Sequence, residues 1–135
     1  MGRKTIQPPE CFNSKPWGFS QAVIGPVNGT LVTIAGQVAW DAQENIMGHT
    51  KWDQMRATIN HVIDAVKAAG GQVDDIMHLQ IHIVDFKPDE AETLASVLIE
   101  TFGTENPPSS TWIGVTSLAR AEYLVEIQGI AVLPH

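Results

Sequence analysis

Residues 107–132 read Pro-Pro-Ser-Ser-Thr-Trp-Ile-Gly-Val-Thr-Ser-Leu-Ala-Arg-Ala-Glu-Tyr-Leu-Val-Glu-Ile-Gln-Gly-Ile-Ala-Val. Side chains of a strand alternate between two faces, and on that period the stretch gives two strands, Ser110–Ser117 and Glu122–Val132, joined by a short polar turn around Ala119, Arg120 and Ala121. In the second strand Tyr123, Val125, Ile127, Gly129 and Ala131 share one face, while Leu124, Glu126, Gln128 and Ile130 share the other. Glu126 is thus an acid within an apolar strand. It is either a charge on a solvated sheet face or a carboxylate that needs a partner, a cavity or a subunit interface, because an isolated buried charge is very costly.

Working outward, residues 75–85 alternate in the same way, with Met77, Leu79, Ile81 and Ile83 opposite His78, Gln80, His82 and Val84. Four residues apart on a strand, His78 and His82 stand about 13 Å from one another, too far to share one ion, so no metal is expected. Between these strands Pro88 suits a first helical turn, Asp89 and Glu90 complement the helix dipole, and Ala91, Leu94, Ala95, Leu98, Ile99 and Phe102 mark a buried stripe ended by Gly103. An earlier helix is capped by Thr50 with Asp53. Its stripe is Met55, Ile59, Val62, Ile63, Val66 and Ala69, and Gly70-Gly71 stops it. Phe19–Ile24 and Leu31–Val38 flank Pro26-Val27-Asn28-Gly29, whose Asn-Gly pair predicts a hairpin between them. Trp40–Gly48 reads as a loop, and residues 1–16 as an extended N-terminal arm that stays extended near Trp17.

The order is strand, strand, helix, strand, helix, strand, strand, an α+β domain spanning residues 1–135. Two helices cover one face of such a sheet, and oligomerisation is the economical way to bury the other. A chain of 135 residues with 44% apolar content and four tryptophans can bury a core without disulfides, and Cys11, the only cysteine, can form no internal one. The N-terminal stretch has no apolar run of signal-peptide type, and no stretch reaches the roughly 18 apolar residues of a membrane span. A cytoplasmic protein without membrane association is the expectation. A net charge of −7 with eight scattered basic residues argues against nucleic-acid binding, which draws on phosphate neutralisation.

Pro107-Pro108 with Thr111 and a strand, then Leu124-Val125-Glu126-Ile127 and Ile130-Ala131-Val132, resembles the C-terminal signature of the Rid/YjgF family. So do Phe19-Ser20-Gln21-Ala22-Val23, Ala35-Gly36-Gln37-Val38, Gln54 and Arg56 opening a helix that runs to Ala68-Ala69-Gly70, and Asp74-Asp75-Ile76. The resemblance implies a chorismate-mutase-like β-β-α-β-α-β-β fold with a mixed sheet, assembled as a homotrimer with clefts between subunits. It also implies hydrolysis of a small imine or enamine without cofactor, a catalytic role for Glu126 in positioning water, and a substrate-binding set of Phe19, Gly36, Gln37, Ser110 and Trp112. Some relatives carry an endoribonuclease label, which the charge balance speaks against here.

The chain departs from that pattern at three positions. The arginine that forks a substrate carboxylate is replaced by Ser110, the tyrosine by Phe19, and the asparagine on the second helix by Ala95. A lost charge-assisted hydrogen bond of that kind is worth about 1.5–3 kcal/mol, so activity on 2-iminobutyrate is expected to be weak. Arg56 and Arg120, in a helical turn and a strand turn, are not expected to replace it. Two functions remain open: a hydrolase acting through Glu126 on a more apolar or aromatic substrate, and a non-catalytic trimeric binding or scaffolding protein.

Overall fold

The computed structural model describes residues 2–135; Met1 of the expected arm lies outside them. Eight regular elements follow the chain: β1 (Lys4–Ile6), β2 (Ala22–Ile24), β3 (Thr30–Val38), α1 (Lys51–Ala68), β4 (Ile76–Val84), α2 (Ala91–Phe102), β5 (Ser109–Val115) and β6 (Val125–Leu133). From β2 onward this is the β-β-α-β-α-β-β order expected. The main sheet runs β3-β6-β4-β5, with β4 and β5 parallel and the other pairs antiparallel.

Periodicity explains which face is buried. Leu79, Ile81 and Ile83 of β4 and Val125, Ile127 and Ala131 of β6 pack with Met55, Ile59, Val62 and Val66 of α1 and Leu94, Val97 and Leu98 of α2. Both helices therefore cover one face. Thr50 caps α1, its side chain accepting from Asp53 N at 3.1 Å. Gly70 and Gly103, at φ 98° and 70°, take the left-handed conformations that end the two helices. Ala69 caps α1 as an exposed residue and is not part of its buried stripe.

The N-terminal half departs from expectation. β2 does not form a hairpin with β3; it pairs with β1, Lys4 opposite Ile24, while β3 pairs with β6. Asn28 does take the positive φ of 61° expected of the Asn-Gly turn. The competing strand lies in the arm, where buried Arg3 donates to the carbonyls of Asn106, Val73 and Ile76 at 2.7, 3.0 and 3.0 Å and anchors β1. Trp17 is not extended either, since Lys15–Trp17 form a 3-10 turn closed by Gly18 at φ 83°. A Cβ on Gly18 would stand 3.0 Å from that of Leu98, so glycine there also lets the turn approach α2.

The last two strands are not neighbours, because β4 lies between them. The second begins at Val125 rather than Glu122. Buried Gln54 of α1 explains the shift: its side chain accepts from Leu124 N at 2.8 Å and donates to Glu122 O at 2.9 Å, taking groups a ladder would otherwise use.

Candidate functional site

The sheet register divides the expected site residues between two faces. Leu79 pairs with Ser110 and Ile81 with Trp112, so Ser110 and Trp112 point to the helix-covered side of the sheet, at its β5 edge. His82 pairs with Glu126 and Gln80 with Gln128, placing these four on the opposite, uncovered face. Two strand spacings and three residues of register put the backbones of Ser110 and Glu126 about 14 Å apart, with side chains directed oppositely. Within one chain these two residues cannot meet on a single small molecule.

Around Ser110 is a groove of ≈ 480 Å³ lined by Phe12, Trp17, Phe19, Ala91, Ser110 and Trp112. Its position follows from local bonding. Ser20 donates through N and Oγ to the carbonyls of Pro108 and Pro107, at 3.0 and 2.6 Å, which lays Phe19 beside the start of β5. The Phe19 ring stands edge-on to Trp112, with centroids 5.4 Å apart and planes at 69°, and Phe12 meets Phe19 at 6.2 Å and 73°. Ser14 Oγ donates to Phe19 O at 2.7 Å and holds the Phe12–Trp17 segment over the groove. Trp112 Nε1 donates to Ser110 Oγ at 3.0 Å. Sequence reasoning named Phe19, Ser110 and Trp112 but missed Phe12, Trp17 and Ala91. The signal available was two aromatic residues in a proline-punctuated segment. Ala95, at the asparagine position, is buried in α2 and does not line the groove.

On the uncovered face Glu126 is half-buried and packs on the β3 bulge at Gly36. Gln37, in the same bulge, donates to Ala35 O at 3.1 Å. Neighbouring β4 contributes His82, whose Nδ1 lies 3.3 Å from Glu126 O, and Gln80, which accepts from Gln128 at 3.2 Å. Ser109 Oγ donates to Met77 O, so the 2.9 Å contact with His78 Nδ1 is one the imidazole donates. Burial holds the His78 pKa below its ordinary 6.5. Leu31 and Ile130, 65% and 40% exposed, add apolar surface to this face. Both arginines considered as substitutes are engaged elsewhere: Arg56 forks Glu100 at 3.0 and 3.1 Å, and Arg120 lies over the Trp40 ring at 4.8 Å. Among the described residues no cluster of three metal-binding side chains occurs, and no helix is long and apolar enough to cross a membrane.

A four-stranded mixed sheet backed by two helices on one face, with an aromatic groove at its edge, defines a small chorismate-mutase-like α+β protein. The chain belongs to the Rid/YjgF family, and the family model described as Endoribonuclease L-PSP matches residues 14–133. It is 30% identical over 120 residues to a RutC family protein of Pyrococcus horikoshii, an alignment covering 87% of this chain and 89% of that one. Among solved structures it is similar to a Rid-family protein of unknown function from Yersinia pestis, with TM-score 0.91, 30% identity, and coverage of 98% of this chain and 100% of that chain. TdcF of E. coli, solved with bound serine, is similar at TM-score 0.67 and 28% identity, covering 82% of this chain and 91% of that one.

Proposed function

We propose that the chain is a Rid-type hydrolase of small imines or enamines, working in a cleft between copies of a homotrimer. The observation that carries this reading is the placement of Ser110 and Glu126 on opposite faces of one sheet. A heterologous, ring-closing contact sets the uncovered face of one copy against the groove edge of the next, and so unites what a single chain separates. Leu31 and Ile130 supply apolar area for such a contact.

In that cleft Glu126 accepts a proton from a water held against the imine carbon. The water oxygen bonds to that carbon, the π pair moves to nitrogen, and nitrogen takes the proton. Collapse of the carbinolamine expels ammonia and leaves the carbonyl product. An imine is already electrophilic, so placing the water and moving protons supply the catalysis. No metal or organic cofactor has a role in these steps.

The groove sets the substrate. No lysine or arginine lines it, and Phe12, Phe19, Trp17 and Trp112 do. An imine with an apolar or aromatic body is favoured over 2-iminobutyrate. The serine bound to TdcF supports small-molecule binding as a use of this fold. The missing arginine also supports the second reading, a trimeric binding protein without catalysis.

The test follows the decay of two imines generated in situ, 2-iminobutyrate and an aryl ketimine without a carboxylate. Faster turnover of the aryl ketimine, lost in Glu126→Ala, is expected. Decay of both at the uncatalysed rate would leave the binding protein as the better reading.

A further inference from the structure

Ser110 lines the groove with only one of its hydroxyl's hydrogen-bonding roles filled from within the chain. Trp112 Nε1 donates to Ser110 Oγ at 3.0 Å, so the indole occupies one lone pair of the hydroxyl. Among the described residues the hydroxyl hydrogen has no acceptor, and Ser110 lines the groove. That contrasts with Ser109 next to it, whose hydroxyl hydrogen is used by Met77 O. Ring edges and faces meeting at 69° and 73° make the neighbouring walls a right-angled apolar corner suited to one planar ring. A net charge of −7 disfavours anions at any such site.

We infer that this groove recognises an uncharged molecule: a planar apolar or aromatic ring in the corner of Phe12, Phe19 and Trp112, bearing one hydrogen-bond acceptor for the Ser110 hydroxyl. A carbonyl oxygen or a neutral imine nitrogen meets that description. A carboxylate finds no cation among the groove's own residues. A quaternary ammonium could sit on ring faces but leaves the hydroxyl hydrogen without an acceptor. The inference rests on the groove being the substrate side of the proposed cleft, yet binding can be read without turnover.

The experiment is a ligand-observed NMR titration of the intact protein with acetophenone, benzoate and benzyltrimethylammonium as probes. Acetophenone is expected to bind at least about tenfold tighter than either ion, and Ser110→Ala to weaken it about three- to tenfold, the size of one neutral hydrogen bond. Trp112→Phe keeps an aromatic wall but frees the serine oxygen, so the preference for acetophenone over benzyl alcohol, a donor, should shrink in that variant. Benzoate or the ammonium binding as tightly as acetophenone overturns the inference, as does native acetophenone affinity in folded Ser110→Ala. Aryl-imine hydrolysis without selective acetophenone binding removes this inference and leaves the hydrolase; Ser110-dependent binding without hydrolysis does the reverse.

Discussion

Gly36 and Glu126 are packed so closely that a Cβ on Gly36 would stand 2.7 Å from Glu126 Oε2 and 2.8 Å from its Cδ. The contact is with the end of a flexible side chain, so an added methyl displaces the carboxylate rather than the backbone. Gly36→Ala should therefore move the acid while leaving the sheet intact. Imine hydrolysis is expected to fall at least about tenfold, with stability changed by no more than about 1 kcal/mol. Turnover and thermal melting measured on the same preparation check this.

Ser110→Arg restores the fork for a substrate carboxylate. It should raise kcat/KM for 2-iminobutyrate about tenfold or more, the value of a charge-assisted hydrogen bond. The gain should vanish when Glu126→Ala is added. Fast native turnover of 2-iminobutyrate would show that another group anchors the carboxylate.

The strands and helices facing the core were legible because a period of two or 3.6 needs only local sequence. Met77 through Ile83 and Val125 through Ala131 show their buried faces directly. Strand partnership was not legible. β2 pairs with β1 rather than β3, and β1 is anchored by Arg3, a charged residue that reads as solvent-exposed until three distant carbonyls are placed around it. The same limit hid the division of the site. Alternation says that Glu126 opposes Val125 and Ile127, but only the registers His82 to Glu126 and Leu79 to Ser110 put it across the sheet from the groove.

Arg3 is the second structural lever. Removing a buried guanidinium leaves the carbonyls of Asn106, Val73 and Ile76 without their donor. Arg3→Ala should cost about 2–4 kcal/mol and lower Tm by roughly 5–15 °C, with β1 and the groove segment loosened together. Amide hydrogen exchange at residues 4–6 and 22–24 would report the loss.

The pH dependence has a defined sign. His78 has a folded pKa lowered by burial from 6.5, so between that folded value and 6.5 the unfolded chain binds more protons and stability rises with pH. Asp41, Asp85, Glu90 and Glu100 are also lowered, chiefly by hydrogen bonds from the Asn45 backbone, the Lys87 side chain, the Lys87 backbone and the Arg56 side chain respectively. Their contributions are present above the ordinary values of 3.8 and 4.5 and are lost as pH falls through the folded ones. Tm should thus decline gently below 6.5 and more steeply below about 4.5. His78→Gln should remove the gentle part alone.

The shared cleft is tested most directly by mixing two variants that are each inactive. Glu126→Ala lacks the acid, and Ser110→Glu puts a carboxylate in the groove. Co-expressed with different tags and purified as mixed trimers, they should regain about a third of native aryl-imine turnover, because every ring holding both variants has one cleft in three built from an intact groove and an intact acid. No recovery in trimers shown to contain both variants would contradict a cleft built from Ser110 of one copy and Glu126 of the next.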